Sequence, residues 1–160
     1  MSRIAYVNGR YLPLAAASVN VEDRGYQFSD GVYEVCEVRG GRLVDERRHM
    51  ARLAFSLSEL RIAMPMSAAA LSVVLHAVVR RNRVRWGIVY LQISRGVSRR
   101  DHAFPPAGTA PSIVVTARNL DLANAEKMAA DGVAVISVPE NRWERVDIKS
   151  VSLLPNVLAK

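Results

Sequence analysis

Two glycine-containing turns constrain the fold of this chain more than any other feature. Asn8-Gly9 lies between two short apolar segments, and residues 39–42, which contain two glycines, follow a segment rich in valine. Asn-Gly is typical of a two-residue hairpin turn, because both positions require a positive φ. The sequence therefore predicts two β-hairpins and an antiparallel sheet. The predicted strands are residues 4–7, 10–12, 32–38 and 43–44.

From residue 46 the hydrophobic period changes from that of a strand to that of a helix. The first apolar stripe consists of Met50, Leu53, Leu57 and Leu60. We expect Pro65 to end this helix and Ser67 to cap a second one. The buried face of the second helix consists of Leu71, Val74, Leu75 and Val78. The arginines of residues 80–83 then complement the dipole at its C-terminus.

The remainder of the chain returns to strand-like segments. The predicted elements are strands at 88–94, 112–117 and 133–138 and a short helix at 125–130. Residues 119–124 resemble a linker, so we place a domain boundary near Leu120. The predicted fold class is α+β, an α/β sandwich. An N-terminal domain (1–119) has an antiparallel sheet with two helices, and residues 120–160 begin a second, mainly β domain that is incomplete.

The formal net charge of +7 raises the possibility of a nucleic-acid partner. The arginines are spread along the chain, however, and only residues 80–85 form a dense basic cluster without interleaved aromatic residues. A nucleic-acid partner is therefore not expected. No apolar run reaches the roughly 20 residues that a membrane span requires, so no membrane partner is expected either. No zinc-finger spacing is present, and we predict no metal site.

A cytoplasmic location is expected on two grounds. The first four residues lack an apolar signal core, and Cys36 is the single cysteine, so that no intramolecular disulfide can form. Cys36 lies among strand residues such as Val35 and Val38. We expect it to pack in the core and not to serve as a reactive thiol.

The segment around Lys149 combines a strand pattern with the start of a helix. Val146 and Ile148 alternate with Asp147 and Lys149, and Pro155 after a serine-rich bend suits the first turn of a helix. This pattern predicts that Lys149 ends a strand just before a helix. A lysine in such a place is either a solvated side chain or a functional amine.

Residues 147–150, followed by 153–156 and 159–160, resemble the lysine segment of the fold-type IV pyridoxal-phosphate enzymes. This family contains D-amino-acid transaminases, branched-chain aminotransferases and aminodeoxychorismate lyases. The resemblance implies that Lys149 forms a Schiff base with pyridoxal 5'-phosphate and releases it to the substrate amine. Lys149 then moves the proton between the substrate α-carbon and the cofactor, so that one amine serves as attachment and as acid and base.

Two further segments resemble this family. Residues 24–35 are similar to the segment that opens the active-site side of D-amino-acid transaminases, which implies that Tyr33 lines the substrate pocket. Residues 49–53 resemble the helix motif whose arginine binds the cofactor phosphate, here Arg52. Paired guanidinium donors suit phosphate oxygens. Without the resemblance, Tyr33 is a sheet-filling aromatic and Arg52 a surface helix residue.

The loop of residues 95–105 contains Arg100 and His102 two positions apart, and it resembles the loop that holds the substrate α-carboxylate in D-amino-acid transaminases. Branched-chain aminotransferases usually have a different loop, so this feature favours the D-specific branch. The family usually has proline where Arg99 stands and a small residue where Asp101 stands. Asp101 is expected either to pair with Arg99 or to weaken the anion pocket.

The function implied by the resemblance is transfer of an amino group between D-amino acids, such as D-alanine, and 2-oxo acids, such as pyruvate or 2-oxoglutarate. The alternatives are another type IV aminotransferase or lyase, or a non-catalytic domain that binds anions or nucleic acid. A homodimer is expected, because in the family the carboxylate loop reaches the neighbouring subunit's site.

The resemblance also implies that these residues are only part of a catalytic unit. A pyridoxal site requires an anionic group at the pyridine nitrogen and donors around the phosphate. In the family a second half of comparable length supplies them. The helix announced by Pro155 has only residues 156–160 to continue it. We therefore expect either a longer polypeptide or the loss of transaminase activity.

Overall fold

A computed structural model describes residues 3–160. Residues 1 and 2, part of the segment expected to lack a signal sequence, lie outside the described residues. The strands are β1 (Ile4–Val7), β2 (Arg10–Pro13), β3 (Gly31–Arg39), β4 (Arg42–Leu43), β5 (Trp86–Ser94) and β6 (Ser112–Asn119). The α-helices are α1 (Arg24–Phe28), α2 (Glu46–Glu59), α3 (Ala68–Arg81), α4 (Leu122–Asp131) and α5 (Leu154–Leu158).

The strands form one antiparallel sheet in the order β2-β1-β6-β5-β3-β4, which confirms the predicted sheet and both hairpins. The first hairpin turns at Asn8 (φ 44°) and Gly9 (φ 92°), the positive angles that the Asn-Gly signal requires. The side-chain oxygen of Asn8 also accepts a hydrogen bond of 2.7 Å from the N–H of Ile113. This turn therefore joins the hairpin to β6.

The core lies between one face of the sheet and helices α2 and α3. Leu53 and Leu57 of the first predicted stripe are buried, while Met50 and Leu60 are partly buried against the same core. All four residues predicted for the second stripe are buried, and the Ser67 hydroxyl caps α3 by accepting from the N–H of Ala70. The α+β class and the two amphipathic helices are confirmed. Cys36 is buried in this core, as predicted.

Several predicted boundaries were wrong. Helix α2 ends at Glu59, well before Pro65. Arg61 has a positive φ of 54°, a backbone conformation that a helix cannot continue through. Residues 24–28, for which no element was predicted, form a short helix, α1, whose N-cap Asp23 accepts from the N–H of Gly25 at 2.8 Å. Strand β6 extends to Asn119, and α4 starts three residues earlier than predicted.

The strand predicted at 133–138 was also wrong. In the described chain these residues form no ladder with another segment, and Val135 and Ile136 are 83% and 85% exposed. A strand is stabilised by pairing, so an apolar segment without a neighbouring strand remains irregular. The division of the chain near Leu120 stays a prediction.

The strand predicted before Lys149 was wrong as well. Ile148 is buried but Val146 is 54% exposed, and the backbone turns here, with the N–H of Ile148 bonded to the carbonyl of Arg145. An ion pair between Arg145 and Asp147 fits this turn. Pro155 does lie in the first turn of α5, as predicted. Lys149 therefore follows a turn, at the point where the chain meets β3.

Candidate active site

The backbone of Lys149 is held between a helix and a strand. Its N–H donates to the hydroxyl of Ser56 on α2 (3.2 Å), and its carbonyl accepts from the N–H of Tyr33 on β3 (3.0 Å). Ser56 is fully buried. Two backbone hydrogen bonds to different elements fix the start of the Lys149 side chain at the edge of the core.

The amine of Lys149 lies over an aromatic ring, with Nζ 4.1 Å from the centroid of Tyr33. No ion pair joins this amine to a carboxylate in residues 3–160. A cation–π contact holds a lysine head group without neutralising its charge. A cavity of about 190 Å³ adjoins the lysine, and its wall includes Tyr33, Trp143 and Asn156. The amine is therefore positioned beside open space.

Tyr33 belongs to a small aromatic layer on the sheet face opposite the core. Its ring stacks on Tyr90 with centroids 5.8 Å apart, and the Tyr90 hydroxyl donates to Gln92 Oε1 (2.6 Å). Burial, and then the electrostatic effect of Tyr33, raise the pKa of Tyr90. The next residue along the strand, Glu34, is buried and points to the other face of the sheet.

Glu34 holds Arg52 in a fork. Nε and Nη2 of Arg52 each donate to the carboxylate at 2.7 Å, and Nδ1 of His49 lies 2.8 Å from it. The Glu34 side chain is 1% exposed and that of Arg52 47%. Burial would raise the pKa of Glu34, but the hydrogen bonds from Arg52 and His49 outweigh it and hold the pKa low. Glu34 is thus a charged carboxylate that orients Arg52.

Arg52 and Lys149 are connected through α2. Ser56, which binds the Lys149 backbone, lies one turn after Arg52, about 6 Å along the helix axis. The third nitrogen of Arg52, Nη1, makes no hydrogen bond in the described part of the chain. Lys149 and Tyr33 therefore share one cavity, and Arg52 lies one helical turn from the serine that binds the Lys149 backbone.

Arg100 and His102 lie elsewhere on the chain. Both pack on Phe28, with the Arg100 guanidinium 5.2 Å and the His102 ring 5.6 Å from its centroid. Among residues 3–160 neither side chain makes a hydrogen bond, ion pair or ring contact with Lys149 or Tyr33. His102 lines a second cavity of about 450 Å³, which shares Trp143, Ser150 and Ser152 with the cavity beside the lysine. The pair expected to hold a carboxylate is therefore near the lysine cavity, not in it.

Asp101, between these two residues, does not pair with Arg99 in the described residues. Its carboxylate accepts from the N–H of Ala103 at 3.2 Å, which closes a tight turn. Of the two alternatives for Asp101, the ion pair with Arg99 is therefore not observed, and a weakened anion pocket stays a prediction.

The sequence interpretation missed Glu34 and Ser56. A signal for Glu34 was present, because strand alternation puts it on the same face as Val32 and Cys36, where a carboxylate requires charged partners. His49 and Arg52, three residues apart on one helix face, are such partners. Ser56 carries no comparable signal, since its role depends on where the chain returns 93 residues later.

Two classes of feature are absent from the described residues. No group of three or more histidine, cysteine, aspartate or glutamate side chains in residues 3–160 is arranged to bind a metal ion. No helix in that range has the length and apolar character needed to cross a membrane.

Residues 31–160 match the family described as amino-transferase class IV. The chain is 42% identical over 153 residues to D-alanine aminotransferase from Bacillus licheniformis, which covers 96% of this chain and 53% of that relative. The structure of 4-amino-4-deoxychorismate lyase from Pseudomonas aeruginosa is 30% identical, with a TM-score of 0.78 over 97% of this chain and 55% of that one.

Branched-chain amino acid aminotransferase from Escherichia coli has the same fold, with a TM-score of 0.69, 21% identity and coverage of 75% of this chain and 42% of that chain. At this identity the likeness concerns the fold alone. The chain spans about half the length of the curated relatives it matches.

Proposed function

The chain belongs to the amino-transferase class IV family, and on that premise we propose that the protein transfers amino groups between D-amino acids and 2-oxo acids. The substrates we propose are D-alanine with pyruvate or 2-oxoglutarate, and the cofactor is pyridoxal 5'-phosphate. The 42% identity to a D-alanine aminotransferase supports this choice. Because the chain spans about half of such relatives, the proposal concerns the complete polypeptide that contains it.

The observation that carries the proposal is the position of the Lys149 amine. It lies over Tyr33, beside a cavity, and has no carboxylate partner in the described residues. The bond from its backbone N–H to the buried Ser56 fixes the point from which the side chain starts, which favours an amine that must act at one place. This geometry distinguishes Lys149 from an ordinary surface amine.

The residues present fit pyridoxal phosphate in two respects. Its aldehyde requires a primary amine, and Lys149 offers one at a fixed place. Its phosphate requires cationic donors, and Arg52 has Nη1 available one helical turn from Ser56. When bound, the cofactor supplies the electron sink that makes the α-hydrogen of an amino acid acidic.

The side chains of this chain then have separate tasks. Lys149 holds the cofactor and, once released, moves the α-proton through Nζ. Tyr33 limits the directions in which the lysine amine can point and lines the pocket. Arg52, oriented by Glu34, binds the phosphate. We assign Arg100 and His102 to the substrate α-carboxylate, acting from the neighbouring subunit of a homodimer.

A lyase of the same family is the second candidate, because this chain is 30% identical to an aminodeoxychorismate lyase over nearly its whole length. The Arg100-x-His102 pair favours the transaminase, since two donors two residues apart in a loop converge on one carboxylate. A branched-chain aminotransferase is supported by fold likeness alone.

The test uses the complete polypeptide purified with its cofactor. We expect borohydride reduction and peptide mapping to find the pyridoxyl group on Lys149, and D-alanine to discharge the visible absorbance. Lys149→Ala is expected to abolish both, while Lys127→Ala on exposed α4 serves as the matched control. A label on another lysine refutes the site. Faster turnover of L-valine, or lyase activity on 4-amino-4-deoxychorismate without D-alanine turnover, refutes the proposed substrate class.

A further inference from the structure

Three charged side chains that the proposed mechanism does not use form a nearly buried cluster beside α1. The carboxylate of Asp30 accepts from Arg24 Nε at 2.8 Å, and from Arg95 Nε at 2.6 Å and Nη2 at 2.9 Å. The side chains of Arg24, Arg95 and Asp30 are 5%, 9% and 12% exposed. We call Arg24, Asp30 and Arg95 the arginine clamp.

The two arginines of the clamp depend on the carboxylate between them. Two guanidinium groups that share one buried region repel each other, and each loses hydration that only a close anion replaces. Burial would raise the pKa of Asp30, but hydrogen bonds from Arg95 and Arg24 outweigh it and hold the pKa low. Asp30 is therefore charged at neutral pH and keeps both arginines in place.

Each arginine also binds backbone outside the clamp. Arg95 donates to the carbonyls of Leu60 (2.7 Å) and Arg61 (3.2 Å), where the chain leaves α2. Arg24 donates through Nη1 to the carbonyls of Asp101 (2.6 Å) and Ala103 (3.3 Å). The clamp thus connects the end of α2 to the loop of residues 100–104.

The carbonyls that Arg24 binds belong to the residues on either side of His102, and one of them directly follows Arg100. The aromatic rings around the loop strengthen this connection. The guanidinium of Arg24 lies 4.8 Å from the centroid of Phe28. Arg100 and His102 pack on this same ring. The guanidinium of Arg95 lies 4.3 Å from the centroid of Phe104. A side chain attached to a fixed backbone has fewer directions to sample than one on a free loop.

We propose that Asp30 is a positioning residue for substrate recognition: through Arg24 it fixes the loop that directs Arg100 and His102 at the substrate carboxylate. This inference rests on the proposed function. Asp30 itself touches no reacting atom. Its loss therefore weakens substrate capture and leaves cofactor attachment at Lys149 intact.

The test compares Asp30→Asn with Glu46→Gln in the complete, cofactor-loaded polypeptide. Glu46 also binds two side chains, Ser72 and His76, but it makes no contact with the loop in residues 3–160. We expect Asp30→Asn to raise the KM for D-alanine roughly ten-fold or more, with a smaller change in kcat and unchanged cofactor absorbance. Amide hydrogen exchange in residues 99–104 should become faster in the same variant and stay unchanged in Glu46→Gln.

If Asp30→Asn does not fold, Arg24→Lys replaces it, because a lysine has a single nitrogen and cannot occupy the two positions from which Nε binds Asp30 and Nη1 binds the loop carbonyls. An unchanged KM in Asp30→Asn overturns the proposal, even if hydrogen exchange in the loop becomes faster. An equal rise of KM in Glu46→Gln also overturns it, because the rise would then be a general effect of lower stability. Absence of D-alanine turnover in the unaltered protein refutes the proposed function instead. In that case hydrogen exchange still tests whether the arginine clamp holds the loop. Unchanged exchange in the variant would show that Asp30 does not hold it.

Discussion

The guanidinium of Arg52 meets the buried carboxylate of Glu34 through two parallel hydrogen bonds of 2.7 Å. A fork of this kind fixes both the position and the plane of the arginine, which a single contact does not. The nitrogen that remains, Nη1, is directed by the fork, and half of the side chain is exposed. Glu34 therefore determines where an anion bound by Arg52 can lie.

Replacing Arg52 by lysine should weaken cofactor binding although the charge is kept. A lysine cannot bind Glu34 through two nitrogens and also present a third to a phosphate. We expect the affinity for pyridoxal phosphate to fall roughly ten-fold for Arg52→Lys and further for Arg52→Ala, measured by absorbance titration of the apoprotein. Arg48→Lys on the exposed side of α2 is the control. Equal affinities for pyridoxal phosphate in Arg52→Lys and in the unaltered protein would show that Arg52 does not bind the phosphate.

Glu34 should also make stability depend on pH. Its pKa is lower in the folded protein than the ordinary value of 4.5, so its stabilising effect is complete above that value and is lost as the pH falls below it. Glu34→Gln should lower the free energy of unfolding by about 1–3 kcal/mol at pH 7. Denaturant unfolding at several pH values should show this difference shrinking below pH 4.5. A difference that grows on acidification would contradict the assignment of a charged Glu34.

The sheet and the two long helices could be predicted from the sequence, because the patterns that specify them lie within a few neighbouring residues. An Asn-Gly pair between two strand-like segments, such as Asn8-Gly9, favours a hairpin turn. The spacing of Leu71, Val74 and Leu75 places them on one face of a helix. The segment 133–138 is different. Its apolar residues permit a strand, but pairing requires a partner that no local pattern specifies, and none is present in the described chain.

The same distinction applies to the site. Lys149, Tyr33 and Arg52 were indicated by motifs, and the structure places the Lys149 amine over the Tyr33 ring. The bond from the Lys149 N–H to Ser56 and the bond from Arg24 to the carbonyl of Asp101 span 93 and 77 residues. Contacts of this separation follow from the completed fold, so no window of sequence indicates them.

Cys36 should be unreactive in the folded protein. Burial, followed by the charges of Glu34 and Glu46, raises the pKa of this thiol from 9.0 to about 12, which lowers the thiolate fraction about a thousand-fold. We expect iodoacetamide at pH 7.5 to label Cys36 only after denaturation, with the labelled peptide located by mass spectrometry. Labelling of the folded protein at the rate of a free thiol would show that this part of the core opens readily.

The position of Arg100 makes a prediction about assembly. In its own chain Arg100 packs on Phe28 and, in residues 3–160, makes no contact with Lys149. If it acts on the site of a neighbouring subunit, a hybrid of Lys149→Ala and Arg100→Ala subunits contains one site with both residues intact. We therefore expect the mixed variants, each nearly inactive alone, to regain up to about half the activity per hybrid dimer. Absorbance should show cofactor bound in the Arg100→Ala subunits throughout. Exchange of subunits, demonstrated with two affinity tags, without recovered activity would place Arg100 and Lys149 in the same subunit's site.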